Sequence, residues 1–325
     1  MVDIKKHQIT LLPSGVMFES SSDKTILDSA LEAGVVLEHS CKTGTCGVCE
    51  ARVVLGEVDE LNKKVLLTCQ EMPSCDLTLH AEYFPELANI KCLTSPAKVS
   101  SILYKSESII SLELRLPPKI KFDFLPGQYL ELKHQGITRS YSIASIPNRK
   151  NTIELHFKRV LGGKMSEKIF SPIEDDQLVQ VEGPKGTFFL HNKKTGPVVF
   201  IATGTGFAPI KAMVSQLIQS QQLDRPIYIY WGNRSSEFFY DEHVLSDWCR
   251  RFDSIKVELC LSKKEENWLG RIGYVQNCLM EDEVCLCDAE VYACGSIEMI
   301  ESAKSLLIDA GLDRDSFYSD AFVAS

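Results

Sequence analysis

The chain has 325 residues, more than one ordinary hydrophobic core accommodates, so two or three domains are expected. Its 44 acidic and 35 basic side chains give a formal charge of -9 with no Lys/Arg block, which argues against nucleic-acid binding and favours solubility or steering toward a basic partner. No run reaches the roughly 18 uncharged apolar residues of a membrane span, and the opening MVDIKKHQIT lacks the apolar core of a secretion signal. A cytoplasmic protein with no membrane contact is expected, in which twelve cysteines read as metal chemistry before disulfides.

Three textures follow one another. Residues 1–88 hold the clustered cysteines, preceded by a helical pattern in TILDSALEAGV. Residues 95–195 are short alternating segments such as SIISLELRLP and TIELHFKRV, broken by Gly and Pro, as in an antiparallel β-barrel or sandwich. In residues 196–325 apolar strands alternate with longer helical patterns, the signature of a parallel α/β sheet. The stretch 83–96 reads as a linker, because Pro85 and Pro96 discourage regular structure.

Cys41, Cys46 and Cys49 form a C-x4-C-x2-C run in SCKTGTCGVCE, and Cys69 follows in LLTCQ. This is the plant-type [2Fe–2S] spacing, with Gly44 and Gly47 allowing a tight loop whose backbone N–H groups point at the sulfurs. Four cysteines also suit zinc, although zinc knuckles usually come as paired C-x2-C. Cys75, six residues past Cys69, is an alternative fourth ligand. The pattern resembles the ferredoxin domain of bacterial multidomain reductases, and the resemblance implies a β-grasp-like fold. That family usually has about ten more residues between its third and fourth cysteines, so a shortened surface loop beside an intact cluster is expected here.

In RSYSIAS, alternation puts Arg139 and Tyr141 on one face of a strand. The arginine can fork onto a pyrophosphate, the tyrosine ring can pack on an isoalloxazine, and Ser142 can hydrogen-bond the flavin nitrogen that receives the hydride. Gly163 and Ser166 in GGKMS offer flexible backbone and a helix start for the same pyrophosphate. The order PGQY, RSYS, GGKMS, GPKGTFFL is similar to the ferredoxin-NADP reductase superfamily, which implies FAD.

PVVFIATGTGFAPIKAMVSQL reads as strand, Gly-rich turn and helix, with Gly204 and Gly206 at the turn and Pro209 at the helix start. It matches the superfamily's G-x-G-x-x-P form. The same resemblance places Cys294, followed by Gly295, beside the hydride-donating carbon of nicotinamide; buried packing is the other reading of that cysteine. Arg234 closes YWGNR, and related reductases with G-x-R here mostly use NADH, with NADPH the alternative. The tail SFYSDAFVAS resembles family tails in which an aromatic ring covers the flavin: Phe322, or else Phe317 or Tyr318. Cys285 and Cys287 form a C-x-C pair with no convergence on other ligands.

Nearly the whole chain resembles the family of CDP-6-deoxy-Δ3,4-glucoseen reductases, through HSCKTGTCGVC, YFPEL, RSYSIA, GTGFAP, YACGS and FYSDAFV. The resemblance implies an NADH-dependent reductase, monomeric alone, that passes electrons one at a time to a pyridoxamine-phosphate (PMP)-dependent dehydrase in 3,6-dideoxyhexose biosynthesis. An aromatic-ring mono- or dioxygenase component is the alternative acceptor. A non-catalytic redox-sensing module would need no complete hydride site.

Overall fold

A computed structural model describes residues 4–56, 64–170 and 177–322. It divides into two compact units, one running from the amino terminus to Lys91 and the other from Cys92 to Phe322.

In the first unit, β1 (Lys6–Leu12) and β2 (Met17–Ser21) form a hairpin, followed by α1 (Ile26–Glu32), β3 (Glu50–Leu55), β4 (Val65–Leu67) and β5 (Leu77–His80). The mixed sheet has the order β2-β1-β5-β3-β4, with β1 and β5 parallel. The helix forms where the sequence pattern placed it: Thr25 caps it by accepting the Asp28 N–H, and Gly34 beyond its end takes a positive φ. Ile26, Leu27 and Ala30 bury against Ile9, Leu11 and Leu79 of the sheet.

The second unit opens with β6 (Leu93–Tyr104), β7 (Ile109–Arg115), β8 (Tyr129–His134), β9 (Ile137–Ser142), β10 (Thr152–Lys158), α2 (Lys164–Phe170) and β11 (Leu178–Lys185). Their antiparallel order is β10-β7-β6-β11-β8-β9. A bridge between Ile143 and Leu155 brings the two edges together, so the sheet curls around a core of Val99, Leu112, Leu130, Leu132, Ile153 and Val181.

The expected linker 83–96 is only partly irregular. Pro85 starts a single 3-10 turn, and β6 already begins at Leu93 and includes Pro96. Proline is tolerated there because β6 pairs with β7 only from Lys98 onward, so residue 96 has β11 alone as its ladder neighbour.

The rest is a parallel α/β lobe: β12 (Val198–Thr203), α3 (Phe207–Gln219), β13 (Ile227–Asn233), α4 (Glu242–Arg251), β14 (Ile255–Leu261), β15 (Arg271–Ile272), α5 (Val275–Glu281), β16 (Glu290–Ser296), α6 (Ile297–Asp309) and β17 (Phe317–Phe322). The order β15-β14-β13-β12-β16-β17 reverses direction beside β12, and such sheets bind ligands at the carboxyl edge of that switch point.

The amino edge carries stability instead. Arg225, before β13, reaches Glu290 at the start of β16 at 2.7 Å, and the Glu290 side chain is 1% exposed. Glu290 also accepts the Lys193 N–H at 2.8 Å, while Arg225 Nε donates to the Gly196 carbonyl. Arg225→Met would strand this carboxylate, at a cost of about 3–5 kcal/mol. Thermal unfolding should show a clearly lowered Tm with unchanged cluster content; an unaltered Tm would mean that water replaces the arginine.

Candidate functional site

The four predicted cluster ligands come together at one end of the first unit. The β3–β4 hairpin pairs Glu50 with Leu67, and the Thr68 N–H donates to the Cys49 carbonyl at 3.0 Å. Cys49 and Cys69, which flank that hairpin, therefore meet with their sulfurs 3.1 Å apart. The expected shortening of the loop between Cys49 and Cys69 falls in part on residues 57–63, which lie outside the described residues. Cys41 Sγ accepts N–H groups from Thr43 and Cys46 at 3.4 Å each, the backbone-to-sulfur arrangement expected of a cluster loop.

The sulfurs thus form two pairs, 41/46 and 49/69. Among the described residues no three of them gather within 4.8 Å of one another. A single tetrahedral zinc with 2.3 Å bonds needs sulfurs about 3.8 Å apart, whereas two irons need two pairs. The donor set fits a two-iron cluster. The Cys75 thiol donates to the Asp76 carbonyl at 3.3 Å.

Gln70 was not read from the sequence. Its Nε2 lies 3.4 Å from Cys69 Sγ and 3.4 Å from the Lys42 carbonyl, tying the fourth cysteine to the loop of the first three. A side chain at Gly44 would collide with it, since an added Cβ would lie 2.9 Å from Gln70 Cγ, and Gly44 also has φ +78°. Burial works to raise the Cys41 thiol, but hydrogen bonds involving Thr43 and Cys46 outweigh it and bring it down to about 7. Burial pushes Cys46 up to about 11 and Cys49 to about 12. Loading iron therefore expels protons from these thiols.

In the second unit, β9 carries the predicted flavin residues. Its register sets Arg139 opposite Leu132 and Tyr141 opposite Leu130, on one face. The Tyr141 ring packs on Phe157 with centroids 4.3 Å apart, and burial pushes its hydroxyl up to about 12. Arg139 Nη1 donates to the neighbouring Thr138 carbonyl at 2.8 Å, and the guanidinium has further N–H groups to offer an anion. Gln128 holds the upstream turn, donating to the Gly186 carbonyl at 2.9 Å while its own carbonyl accepts the Ile143 N–H. Gly163 immediately precedes α2, and Ser166 in that helix accepts the Val160 N–H at 2.8 Å.

Ser142 ends β9 at the lobe. Its hydroxyl donates to the Asp320 carboxylate at 3.5 Å, with both residues buried. Asp320 pairs with Cys294 in the β16–β17 register. The sequence singles out no role for this acidic residue beyond its place in FYSDAFV. The Cys294 side chain is fully buried in the hydrophobic core of the lobe, and burial together with the Asp320 charge raises it well above an ordinary thiol. It is a neutral SH.

At the carboxyl edge Gly204 takes φ +56°, and its carbonyl accepts Trp231 Nε1–H at 2.9 Å. A Cβ at Gly206 would sit 2.2 Å from the Cys294 carbonyl oxygen, and one at Gly295 would sit 2.0 Å from Thr203 Oγ1. These two glycines let the β12–α3 turn and the β16 turn interlock. Pro209 is buried at the start of α3. Arg234 is exposed just beyond β13, near enough to lower the Lys158 ammonium after burial has done most of that work. Of the tail aromatics, Phe317 and Tyr318 are buried in the lobe, and Phe322 is 39% exposed at the strand's end beside Ser296.

Residues 9–74 match a 2Fe-2S iron-sulfur cluster binding domain, 96–190 an oxidoreductase FAD-binding domain, and 200–305 an oxidoreductase NAD-binding domain. The chain is 42% identical to Protein RfbI of Salmonella typhimurium, covering 98% of this chain and 97% of that one. It is 41% identical to the CDP-6-deoxy-L-threo-D-glycero-4-hexulose-3-dehydrase reductase of Yersinia pseudotuberculosis, covering 98% of both.

The chain belongs to this family of iron–sulfur flavoprotein reductases.

The reductase component 1 of terephthalate 1,2-dioxygenase from Comamonas sp. is a more distant relative, 29% identical with 98% of both chains covered. The crystal structure of an Amycolatopsis cytochrome P450 reductase shares the fold, with a TM-score of 0.76 at 23% identity over 98% of this chain and 99% of that one. The protein is an oxidoreductase with 2Fe-2S, FAD and NAD domains. Among the described residues no helix is long and apolar enough to cross a membrane.

Cys69→Ser should abolish the visible absorbance of the cluster and its iron and sulfide, expected at about two each per chain. Cys75→Ser should retain all three. The reverse outcome would move the fourth ligand to Cys75.

Proposed function

We propose that this reductase takes electrons from NADH and delivers them singly to a PMP-dependent dehydrase acting on a CDP-linked sugar in 3,6-dideoxyhexose biosynthesis. The observation that carries the reading is full-length identity of 41% to a CDP-6-deoxy-L-threo-D-glycero-4-hexulose-3-dehydrase reductase, against 29% for an oxygenase reductase component of equal coverage. A redox-sensing module would have no use for interlocked glycines at a nicotinamide edge.

Bound FAD supplies the conversion of a hydride into single electrons, and a [2Fe–2S] cluster carries them onward one at a time. The chain's own residues place these groups. Arg139 is assigned to the flavin pyrophosphate, with Gly163 and Ser166 as its second anchor. Tyr141 supports the isoalloxazine, and Ser142 faces the flavin nitrogen with Asp320 holding its hydroxyl in orientation. Gly204, Gly206 and Pro209 receive the dinucleotide phosphates, and Cys294 with Gly295 borders the nicotinamide. Phe322 is the ring that covers the flavin. Cys41, Cys46, Cys49 and Cys69 hold the cluster. The protein acts as a cytoplasmic monomer.

NADH is favoured over NADPH by Glu265, which carries no motif in the sequence. Its carboxylate accepts the Ser236 N–H at 3.2 and 3.3 Å, beside Arg234. Hydrogen bonds from Ser236 and Ser235 hold it below the usual carboxylate range. A 2′-phosphate would have to displace this negative charge, while ribose hydroxyls can donate to it.

The test is reconstitution with a PMP-dependent CDP-hexulose dehydrase and, separately, with an oxygenase component, using each nicotinamide. NADH-driven turnover with the dehydrase, and a better kcat/KM for NADH than for NADPH, are expected. Turnover with the oxygenase component alone would transfer the protein to the second reading, and an NADPH preference would assign Arg234 to the 2′-phosphate.

A further inference from the structure

A chain of buried charges joins the barrel to the nucleotide-binding lobe, outside every site described above. Lys105, in the β6–β7 turn, lies 2.5 Å from Asp241 Oδ1, and the Asp241 side chain is fully buried. Lys211 of α3 lies 3.3 Å from the other Asp241 oxygen and within 2.9 and 3.0 Å of the Glu154 carboxylate on β10. Glu154 also accepts the Ser111 hydroxyl at 2.8 Å and lies 2.9 Å from His156 Nε2. His156 Nδ1 lies 3.0 Å from the Tyr240 hydroxyl.

The protonation states follow from the partners. Burial lowers the His156 pKa, so the ring is neutral. Its Nε2–H then donates to Glu154 and its Nδ1 accepts from Tyr240. Burial alone would raise Glu154, but the hydrogen bond from His156 and the charge of Lys211 pull it below the usual carboxylate range. Two carboxylates and two ammonium groups cancel. Glu154, His156 and Asp241 cluster closely enough to resemble a metal site, yet a cation added there would face two lysines with no charge left to balance it.

The ends of this network touch both halves of the hydride site. Lys211 stands two residues past Pro209, on the helix that follows the phosphate turn. The Glu154 carbonyl accepts the Ala144 N–H at 2.8 Å, its own N–H donates to Ser145 Oγ at 3.0 Å, and Leu155 bridges Ile143. Those residues directly follow Ser142. The Tyr240 ring lies edge-on to Trp231, which holds Gly204. Asp241 itself has φ +59°, a conformation its position in the network stabilises.

We propose that Lys211 is a positioning residue that fixes the nicotinamide turn against the flavin strand, with Glu154 and Asp241 as its anchors on either side. Hydride transfer demands reacting atoms about 3–3.5 Å apart, and an error of about 1 Å costs about 100-fold. The inference rests on hydride passing from nicotinamide to flavin within this unit. Wild-type protein that fails to reduce its flavin with NADH would sink that reading separately.

The test is anaerobic rapid mixing of FAD- and cluster-loaded Lys211→Met and Lys105→Met with increasing NADH, alongside amide hydrogen exchange on the same proteins. The limiting rate of flavin reduction should fall about 10- to 100-fold while half-saturation stays within about two-fold. Lys211→Arg should recover part of that rate. Exchange should quicken at Ala144 and at the Val244 and Leu245 amides, which bond the Asp241 carbonyl, and stay unchanged in β12 and β16. A limiting rate within about two-fold of wild type, or a loss of protection spread through both lobes, would overturn the proposal. If the methionine variants do not retain FAD, Tyr240→Phe decides: a fall of at least about three-fold supports positioning, and no fall refutes it.

Discussion

The Ser142 hydroxyl and the Asp320 carboxylate, 3.5 Å apart, mark the line where the barrel meets the parallel sheet. A reductase of this kind works only if the barrel and the parallel lobe present their ligands in contact, because hydride transfer does not tolerate a gap. One partner of this contact ends a barrel strand and the other lies in the last strand of the lobe. The β16 thiol beside Asp320 is buried and neutral, which keeps the junction free of a second negative charge.

The lobe divides its labour between the two edges of its sheet. At the amino edge, Arg225 and Glu290 clamp the starts of neighbouring strands through a nearly unexposed ion pair. At the carboxyl edge glycines make the close approaches. Gly206 sits against the Cys294 carbonyl and Gly295 against Thr203, so backbone is left to face the ligand. This is the usual economy of an open α/β sheet, in which one edge is built for cohesion and the other for approach. The first unit follows similar logic, since the pairing of Glu50 with Leu67 fixes the two flanking cysteines, Cys49 and Cys69.

Much of this was legible in the sequence where the chemistry is local. The cysteine spacing, the GTGFAP turn and the strand–helix alternation each lie within a few residues, and the matched domains follow them in the same order. What escaped was polar and distant. Asp320 acts on Ser142 across 178 positions, and Glu265 reaches the Ser236 amide from the next strand's loop. Gln70 sat beside a recognised cysteine but looked like an ordinary surface amide. Lys211 and Glu154 are separated by 57 positions, and neither carries a motif. Pro96 misled in the other direction, because a proline signals irregular backbone unless one side of its strand is unpaired. Phe317, Tyr318 and Phe322 were indistinguishable by composition; only the strand's depth shows that the first two are core and the third reaches the surface.

The central claim is that electrons enter through the Ser142–Asp320 junction and leave through the four-cysteine cluster. The most direct measurement is a single turnover of the intact protein with NADH under anaerobic conditions, following flavin absorbance and the cluster's paramagnetic signal by rapid freezing. The account predicts that flavin bleaching comes first and that the cluster signal grows as the flavin is reoxidised. A cluster reduced before the flavin, or a flavin reduced with the cluster left oxidised, would contradict it.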